Sequence, residues 1–134
     1  MNVLSLFDGI SCGMVALERA GIKVDNYFAS EIDKHAIKVS QHNYPNIVQI
    51  GDVTKVSYKD GVLYNKSGKV FQGKIDLVIG GSPCRGFSMA GKQLAFDDPR
   101  SQLYFEYERI VKEVQVENPT VKFLLENVRM KQAH

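Results

Sequence analysis

Hydrophobic residues occur in short blocks along the chain, separated by longer stretches of mixed polarity. Five blocks are nearly continuous and apolar, which is typical of strands that are covered on both faces of a sheet. The predicted strands are residues 2–7, 27–30, 47–50, 75–79 and 121–125.

Between the first three strands, the hydrophobic spacing changes to that of a helix. Ile10, Met14 and Leu17 fall at i, i+4 and i+7, and Gly21 follows as a plausible helix end. A second short helix is predicted over residues 33–43, ending before a proline.

The clearest helix is predicted over about residues 101–116, with Ser101 as its cap. Its apolar stripe consists of Leu103, Tyr107, Ile110, Val111 and Val114. Residues 54–74 break the alternation of strands and helices, and we interpret them as a hairpin insertion that turns at residues 65–68. Strands that alternate with helices predict an α/β domain with a mainly parallel sheet.

Composition places the chain among globular proteins. Its 134 residues, 44% of them hydrophobic, suffice for one compact domain. No stretch approaches the roughly 18 apolar residues of a membrane span, and no secretory signal is predicted. The two distant cysteines suggest no disulfide framework, so we expect a reducing cytoplasm. A net charge of +2 is weak evidence for a polyanionic partner.

The three histidines are His35, His42 and His134. Their spacing relative to the cysteines lacks the paired ligands that are typical of zinc sites. We therefore expect solvated histidines and no metal site.

The loop of residues 7–13 (FDGISCG) follows the first predicted strand and opens a helix. Its glycines allow a sharp turn and a close approach to a ligand, and the helix start suits an anionic group. The spacing is not the GxGxxG of a dinucleotide site. An ordinary tight strand-to-helix turn explains this loop equally well.

Acidic residues stand at the carboxyl ends of three successive predicted strands: Asp8, Glu31 and Asp52. Singly, each would more commonly cap a helix or turn. Together they should face one crevice, at the sheet edge where ligands of such folds bind and where an acidic residue accepts from ribose hydroxyls.

The loop of residues 80–88 (GGSPCRGFS) offers a candidate nucleophile in Cys84. A cysteine in a Gly/Pro-rich loop is poorly placed for core packing, and Arg85 beside it favours the thiolate. The usual role of a buried small hydrophobe suits Cys12 better. Glu126 closes the fifth strand and becomes a candidate proton donor if it faces Cys84; in isolation it would more commonly be a surface acid.

These segments, in this order, resemble the DNA cytosine-5 methyltransferases. The matching segments are LSLFDGISCG, SEID, GDV, GGSPCRGFS, DPRS and FLLENV, and the resemblance as a whole covers residues 3–128. The resemblance implies a Rossmann-like methyltransferase domain that uses S-adenosylmethionine, over residues 1–134 as a partial catalytic domain.

The resemblance also implies the residues of a cofactor site. They are Phe7, Asp8, Gly9, Ile10, Glu31, Ile32, Asp52, Val53 and Pro83. Glu31 would hold the ribose hydroxyls and Ile32 would pack on the adenine, whose amino group Asp52 would bind. Pro83 would shape the loop that presents Cys84.

By the same resemblance, the substrate is a cytosine flipped out of DNA. Cys84 would add to C6 of the base, Glu126 would hydrogen-bond or protonate N3, and Asn127 would orient Glu126 or the loop of Cys84. Covalent attack makes C5 nucleophilic and divides one difficult step into easier ones.

Two features depart from the family's pattern. Arg85 follows the nucleophile, where glutamine or asparagine is frequent, which leaves the loop geometry open. Residues after Val128 match none of the further strands, the base-contacting arginine motif, the target-recognition region or the final helix of the family. We therefore expect an incomplete catalytic half that binds DNA weakly, turns over little alone and needs a complementary C-terminal polypeptide.

Three alternatives remain open to different degrees. The chain could be a catalytically silent cofactor-binding fragment, or a partner-dependent subunit of a split methyltransferase. A methyltransferase acting on cytosine in RNA is a further alternative, although DPRS and the glycines of the nucleophile loop favour DNA. A nicotinamide-dependent oxidoreductase is disfavoured by the missing GxGxxG.

Overall fold

The computed structural model describes residues 1–80 and 99–125. The strands are β1 (Asn2–Leu6), β2 (Asn26–Ser30), β3 (Val48–Gln49), β4 (Ser57–Lys59), β5 (Val62–Asn65), β6 (Gly68–Gln72), β7 (Leu77–Gly80) and β8 (Lys122–Leu125). The helices are α1 (Cys12–Arg19), α2 (Lys34–Asn43) and α3 (Pro99–Glu117), with a 3₁₀ turn at Val53–Lys55.

Five strands form a parallel sheet in the order β3-β2-β1-β7-β8. These are the five strands that the apolar blocks predict, with bounds shifted by one or two residues. Leu6 of β1 lies beside Ser30 of β2 and Gly80 of β7. The carboxyl ends of the central strands are therefore level, and the strand order reverses between β1 and β7.

The sheet is covered on both faces because successive residues of each strand point to opposite sides. Leu4 and Leu6 of β1 belong to a core that includes Tyr107, Ile110 and Val114 of α3. On the other face, a second and smaller core consists of Val3, Leu17, Tyr27, Ala29, Ile47 and Ile79. Helix α1 thus packs on the face opposite α3, as continuous apolar strands require.

The insertion forms an antiparallel sheet in the order β4-β5-β6. The hairpin between β5 and β6 turns at the expected place, where Asn65 Oδ1 accepts from the Ser67 N–H at 2.9 Å. The pattern did not predict β4, which is only three residues long. Tyr58 and Leu63 are buried in the larger core, so the small sheet lies on the same side as α3.

Arg109 joins α3 to the segment before the small sheet. Its Nη2 donates to the backbone oxygens of Val53 at 3.1 Å and Val56 at 3.0 Å. The guanidinium also pairs with Glu106 and Glu113, at 2.7 and 2.8 Å. Both carboxylates lie on α3, at i−3 and i+4, and hold the arginine fork towards the insertion.

Three expectations about the helices were wrong in detail. Helix α1 begins at Cys12, so Ile10 lies in the preceding loop and is 48% exposed instead of joining the apolar stripe. Cys12 is exposed, not buried, and the neighbouring Gly13 is the residue that approaches the sheet. Helix α3 begins at Pro99, which places Ser101 inside the helix. Proline suits the first helical position because it has a fixed φ and no N–H.

The end of α1 confirms the role of Gly21, which has a φ of +74°. The N–H of Ile22 donates to the Leu17 oxygen and that of Gly21 to the Glu18 oxygen, both at 3.0 Å. This pair of hydrogen bonds is typical of a helix that ends at a glycine in the left-handed conformation.

Within residues 1–80 and 99–125, no helix combines the length and hydrophobicity needed to cross a bilayer.

Replacing Arg109 tests the link between α3 and the insertion. Arg109→Ala removes two hydrogen bonds to backbone oxygens and the ion pairs with Glu106 and Glu113. We expect the free energy of unfolding to fall by about 1–3 kcal/mol in urea titrations. Lys112→Ala, an exposed position of the same helix, should change it by less than about 0.5 kcal/mol. Equal effects of the two substitutions would contradict the proposed link.

Candidate functional site

The loops that follow β1, β2 and β3 are joined at the carboxyl edge of the sheet. The Gly9 N–H donates to Glu31 Oε1 at 2.7 Å, which joins the first two loops. The Ser30 hydroxyl donates to the Gly51 oxygen at 2.7 Å, which joins the second and third. In open α/β sheets, ligands bind outside this edge at the point where the strand order reverses. Here that point lies between β1 and β7.

The loop after β1 has an unusual backbone conformation. Phe7, Gly9 and Ser11 have φ values of 57°, 63° and 71°. Glycine adopts positive φ readily, whereas for other residues the left-handed region costs about 1–2 kcal/mol each. Contacts from the surrounding structure must therefore hold Phe7 and Ser11 in place.

Asp8 provides those contacts from the inside of the loop. Its carboxylate accepts hydrogen bonds from the hydroxyls of Ser5 and Tyr27, both at 2.7 Å, and from the hydroxyl of Ser11. Asp8 is only 7% exposed, so the expectation that its side chain faces the crevice was wrong. Hydrogen bonds from three hydroxyls, on β1, on β2 and in the loop itself, hold the carboxylate inside the protein.

Burial raises the pKa of Asp8 above its ordinary value of 3.8. The hydrogen bonds from Ser11, Tyr27 and Ser5 favour the ionised form and oppose this shift, while the nearby Glu31 carboxylate adds to it. Asp8 is therefore a buried acid whose ionisation is costly and partly compensated by neighbouring hydroxyls.

Glu31 is half-buried at the end of β2 and is held by the backbone. Besides Gly9, the N–H groups of Ile32 and Asp33 donate to its Oε2 at 3.2 and 3.0 Å. A carboxylate has about four acceptor positions, so roughly one remains for a ligand. The adjacent Ile32 side chain is 70% exposed. A fixed acceptor beside an exposed apolar surface suits a sugar with an attached aromatic base.

Asp52 precedes the 3₁₀ turn and caps it. Its Oδ1 accepts from the Thr54 N–H at 2.9 Å and the Thr54 hydroxyl at 2.8 Å, and these bonds lower its pKa. Among the described residues, Oδ2 makes no hydrogen bond and can accept from a ligand. Val53 is buried in the larger core, so a contact between its side chain and a cofactor stays a prediction.

Gly13 allows α1 to approach the sheet behind this loop. A Cβ at this position would lie 2.8 Å from Tyr27 Oη and 3.3 Å from Ile79 Cδ1. Sequence reasoning missed Tyr27, whose hydroxyl donates to Asp8. It also missed Ser40, whose hydroxyl shares a hydrogen bond with that of Ser11. The only local signal was a glycine just inside a predicted helix, which often marks a close approach of two elements.

The residues expected to carry the chemistry, Pro83, Cys84, Glu126 and Asn127, lie outside the described residues. The strands that precede them end side by side, because Gly80 of β7 is in register with Leu125 of β8. The roles of these four residues stay predictions.

His35 and His42 lie exposed on α2, where they line a shallow surface pocket with Lys38, Val39 and Asn43. Their exposure matches the expectation of solvated histidines, whereas His134 lies outside the described residues. Across residues 1–80 and 99–125, the His, Cys, Asp and Glu side chains form no group of three that could hold a metal ion.

A pH series on Asp8→Asn tests the electrostatics of the loop. Because burial raises the folded-state pKa above 3.8, the unfolded chain loses its Asp8 proton first as the pH rises. The wild type should therefore lose stability relative to Asp8→Asn as the pH increases from about 3.8, until the folded-state pKa is passed. Urea unfolding at each pH measures this difference. A relative gain for the wild type would show that the hydroxyl contacts outweigh burial.

Comparison with known proteins identifies the family. The model of the C-5 cytosine-specific DNA methylases matches residues 1–134. The chain is 40% identical over 130 residues to the type II methyltransferase M.Eco47II of Escherichia coli, covering 96% of this chain and 27% of that protein. It is 39% identical over 133 residues to M1.ScrFI of Lactococcus lactis subsp. cremoris, covering 99% and 30%.

Solved structures share the fold of this chain. A DNA modification methyltransferase encoded in an Escherichia coli prophage is 33% identical, with a TM-score of 0.59 over 86% of this chain and 29% of that one. The Dnmt2 methyltransferase of S. pombe, 21% identical, shares the fold with a TM-score of 0.64 over 100% of this chain and 36% of that one. The chain spans about a third or less of the length of each of these proteins. Members of the family use S-adenosylmethionine. The chain belongs to the C-5 cytosine-specific DNA methylase family.

Proposed function

We propose that this chain provides the cofactor site and the nucleophile of a DNA cytosine-C5 methyltransferase. The observation that carries the proposal is the hydrogen bond between Gly9 and Glu31, which joins the first two loops of the carboxyl edge. It fixes an acidic acceptor beside a glycine turn at the carboxyl edge of the sheet, next to the point where the strand order reverses and where α/β sheets bind nucleotides. The family membership supports the same conclusion.

The acceptor oxygens and the exposed apolar surface at the edge fit S-adenosylmethionine. The remaining acceptor position of Glu31 suits a ribose hydroxyl, exposed Ile32 offers an apolar surface for the adenine, and Asp52 Oδ2 can accept from the adenine amino group. Phe7, Gly9 and Ile10 would line the methionine and adenosine portions, and the buried Asp8 would support them from behind. When bound, the cofactor supplies a methyl group activated by a positively charged sulfur.

The chemistry at cytosine is assigned to residues beyond β7 and β8. In this proposal the Cys84 thiolate forms a bond to C6 of the flipped base, while Glu126 donates a proton or hydrogen bond at N3. Asn127 orients Glu126 or the loop of Cys84, and Arg85 stabilises the thiolate. After C5 has been methylated, a solvent base takes the C5 proton and the C6–sulfur bond breaks, which releases Cys84 as the thiolate. Any proton that N3 accepted returns to Glu126.

The substrate and the partner belong to the same proposal. The chain spans 27% and 30% of the two type II relatives, so we infer that turnover requires structure equivalent to the rest of them. That structure, on a complementary C-terminal polypeptide, would supply most of the phosphate contacts that set DNA affinity. The type II names of the relatives favour a role in restriction–modification. We propose a cytoplasmic location, because the two distant cysteines suggest no disulfide framework.

Two alternatives make different experimental predictions. A catalytically silent module would bind the cofactor and never form a covalent bond to cytosine. An enzyme acting on RNA would form that bond only with an RNA substrate. The family is that of the C-5 cytosine-specific DNA methylases, and the two relatives compared above are type II methyltransferases, which favours DNA as the substrate.

Cofactor binding is tested with S-adenosylhomocysteine, the demethylated form of the cofactor. Glu31→Gln replaces an acceptor oxygen by an NH₂ group that faces backbone N–H donors. We expect the affinity of this variant for S-adenosylhomocysteine, measured by titration calorimetry, to fall about tenfold or more. Hydrogen bonds to charged groups contribute about 1.5–3 kcal/mol. Glu108→Gln, exposed on α3, is the matched control and should bind like the wild type. A wild-type chain that does not bind would make the proposed cofactor site wrong.

Covalent catalysis is tested with DNA that contains 5-fluorocytosine. Fluorine at C5 cannot leave as a proton, so the adduct should persist on denaturing gels when S-adenosylmethionine and a polypeptide equivalent to the remainder of M.Eco47II are supplied. Cys84→Ser should abolish it, because the thiolate is lost. An adduct that forms equally with Cys84→Ser would exclude Cys84 as the nucleophile, and an adduct with RNA alone would favour the RNA alternative.

A further inference from the structure

A cluster of buried hydroxyl groups lies behind the loop after β1, and no step proposed above uses it. This Asp8 cluster consists of Asp8, Ser5, Ser11, Tyr27 and Ser40. The four hydroxyl-bearing residues are at most 2% exposed. They come from β1, the loop itself, β2 and α2, so the cluster connects four parts of the fold.

We propose that Tyr27 and Ser40 are positioning residues for the cofactor loop, a role that rests on the proposed function. Tyr27 acts through the Asp8 carboxylate, to which its hydroxyl donates at 2.7 Å. Ser40 acts through the Ser11 hydroxyl, with which it shares a hydrogen bond. Neither residue touches the crevice, and together they hold the loop in the form that directs the Gly9 N–H to Glu31.

The hydroxyl of Ser11 shows that the cluster takes precedence over ordinary helix capping. Ser11 directly precedes α1, where a serine side chain commonly accepts from the second or third N–H of the helix. It makes no such bond. Its hydroxyl contacts Asp8 and Ser40 instead, and its φ of 71° is the conformation that allows this.

Tyr27 is held in one position, so its hydroxyl can act as a fixed donor. The ring packs with Val3 and Leu17 in the smaller core. Its Oη lies close to the backbone of α1, because a Cβ built on Gly13 would be only 2.8 Å away from it. Ser40 is anchored in turn by α2 and accepts from Gln49 Nε2 at 3.4 Å.

The position of Asp8 makes these donors necessary. The carboxylate is buried, and the Glu31 carboxylate nearby disfavours its ionised form. Each hydroxyl that donates to Asp8 therefore stabilises the charge and, with it, the turn that carries Phe7 and Gly9. Tyr27→Phe removes the hydroxyl donor and keeps the ring in the smaller core. The loop should therefore become more mobile while the core stays packed.

The test compares two buried tyrosines that each donate one hydrogen bond. Tyr27→Phe should lower the affinity for S-adenosylhomocysteine about tenfold, because a looser loop must be ordered when the ligand binds. Tyr58→Phe is the control: Tyr58 is 3% exposed, donates to the Gly73 oxygen and lies in the other core. It should bind within about twofold of the wild type, even where its melting temperature falls as much as that of Tyr27→Phe.

Amide hydrogen exchange on the chain without ligand separates this inference from the proposed function. Tyr27→Phe should accelerate exchange of the amides of residues 8–11, and Tyr58→Phe should not. Should the wild type fail to bind S-adenosylhomocysteine, the cofactor proposal would fall, and exchange would still decide whether Tyr27 holds the loop.

Ser40→Ala provides a second variant if Tyr27→Phe does not fold. It removes only the hydroxyl that contacts Ser11, so it should accelerate exchange in the same residues by a smaller factor. Unchanged exchange in residues 8–11 for the folded variants, or equal acceleration by Tyr58→Phe, would overturn the inference.

Discussion

The buried carboxylate of Asp8 stabilises the conformation of the loop after β1. Asp8 receives hydroxyl donors from β1, β2 and its own loop. These contacts offset the cost of keeping two non-glycine residues at positive φ. The ionised form is costly in this environment, as the raised pKa indicates. The same hydroxyls that reduce this cost also fix the backbone, so charge and conformation are coupled at one residue.

The parallel sheet provides the second constraint. Its strands end level at one edge, and every loop that leaves that edge therefore starts near the others. Direct hydrogen bonds from Gly9 to Glu31 and from Ser30 to Gly51 then join the first three loops. α3 and the small sheet cover one face of the sheet, and Arg109 ties them together. The proposed cofactor site lies at the carboxyl edge, between the two covered faces of the sheet.

The sequence predicted the parts of the fold that depend on local pattern. Apolar blocks and helical spacing located five strands and three helices, and residues 65–68 marked the hairpin turn. Element ends were less predictable, because Cys12 and Pro99 begin their helices through backbone geometry that hydrophobic spacing does not encode. β4 was missed because three residues carry too little pattern. The sequence pattern placed Glu31 and Asp52 after β2 and β3, where the structure has them, and their role in binding stays a prediction. The inward turn of Asp8 depends on Tyr27, which is nineteen positions away in the chain.

A crystal structure of the chain with S-adenosylhomocysteine is the most direct test of this account. We predict that a ribose hydroxyl lies within hydrogen-bonding distance of the Glu31 carboxylate, while Asp8 stays buried against Tyr27 and the loop keeps its positive φ values. A ligand bound away from Glu31, or an Asp8 side chain turned outward to contact it, would contradict the account.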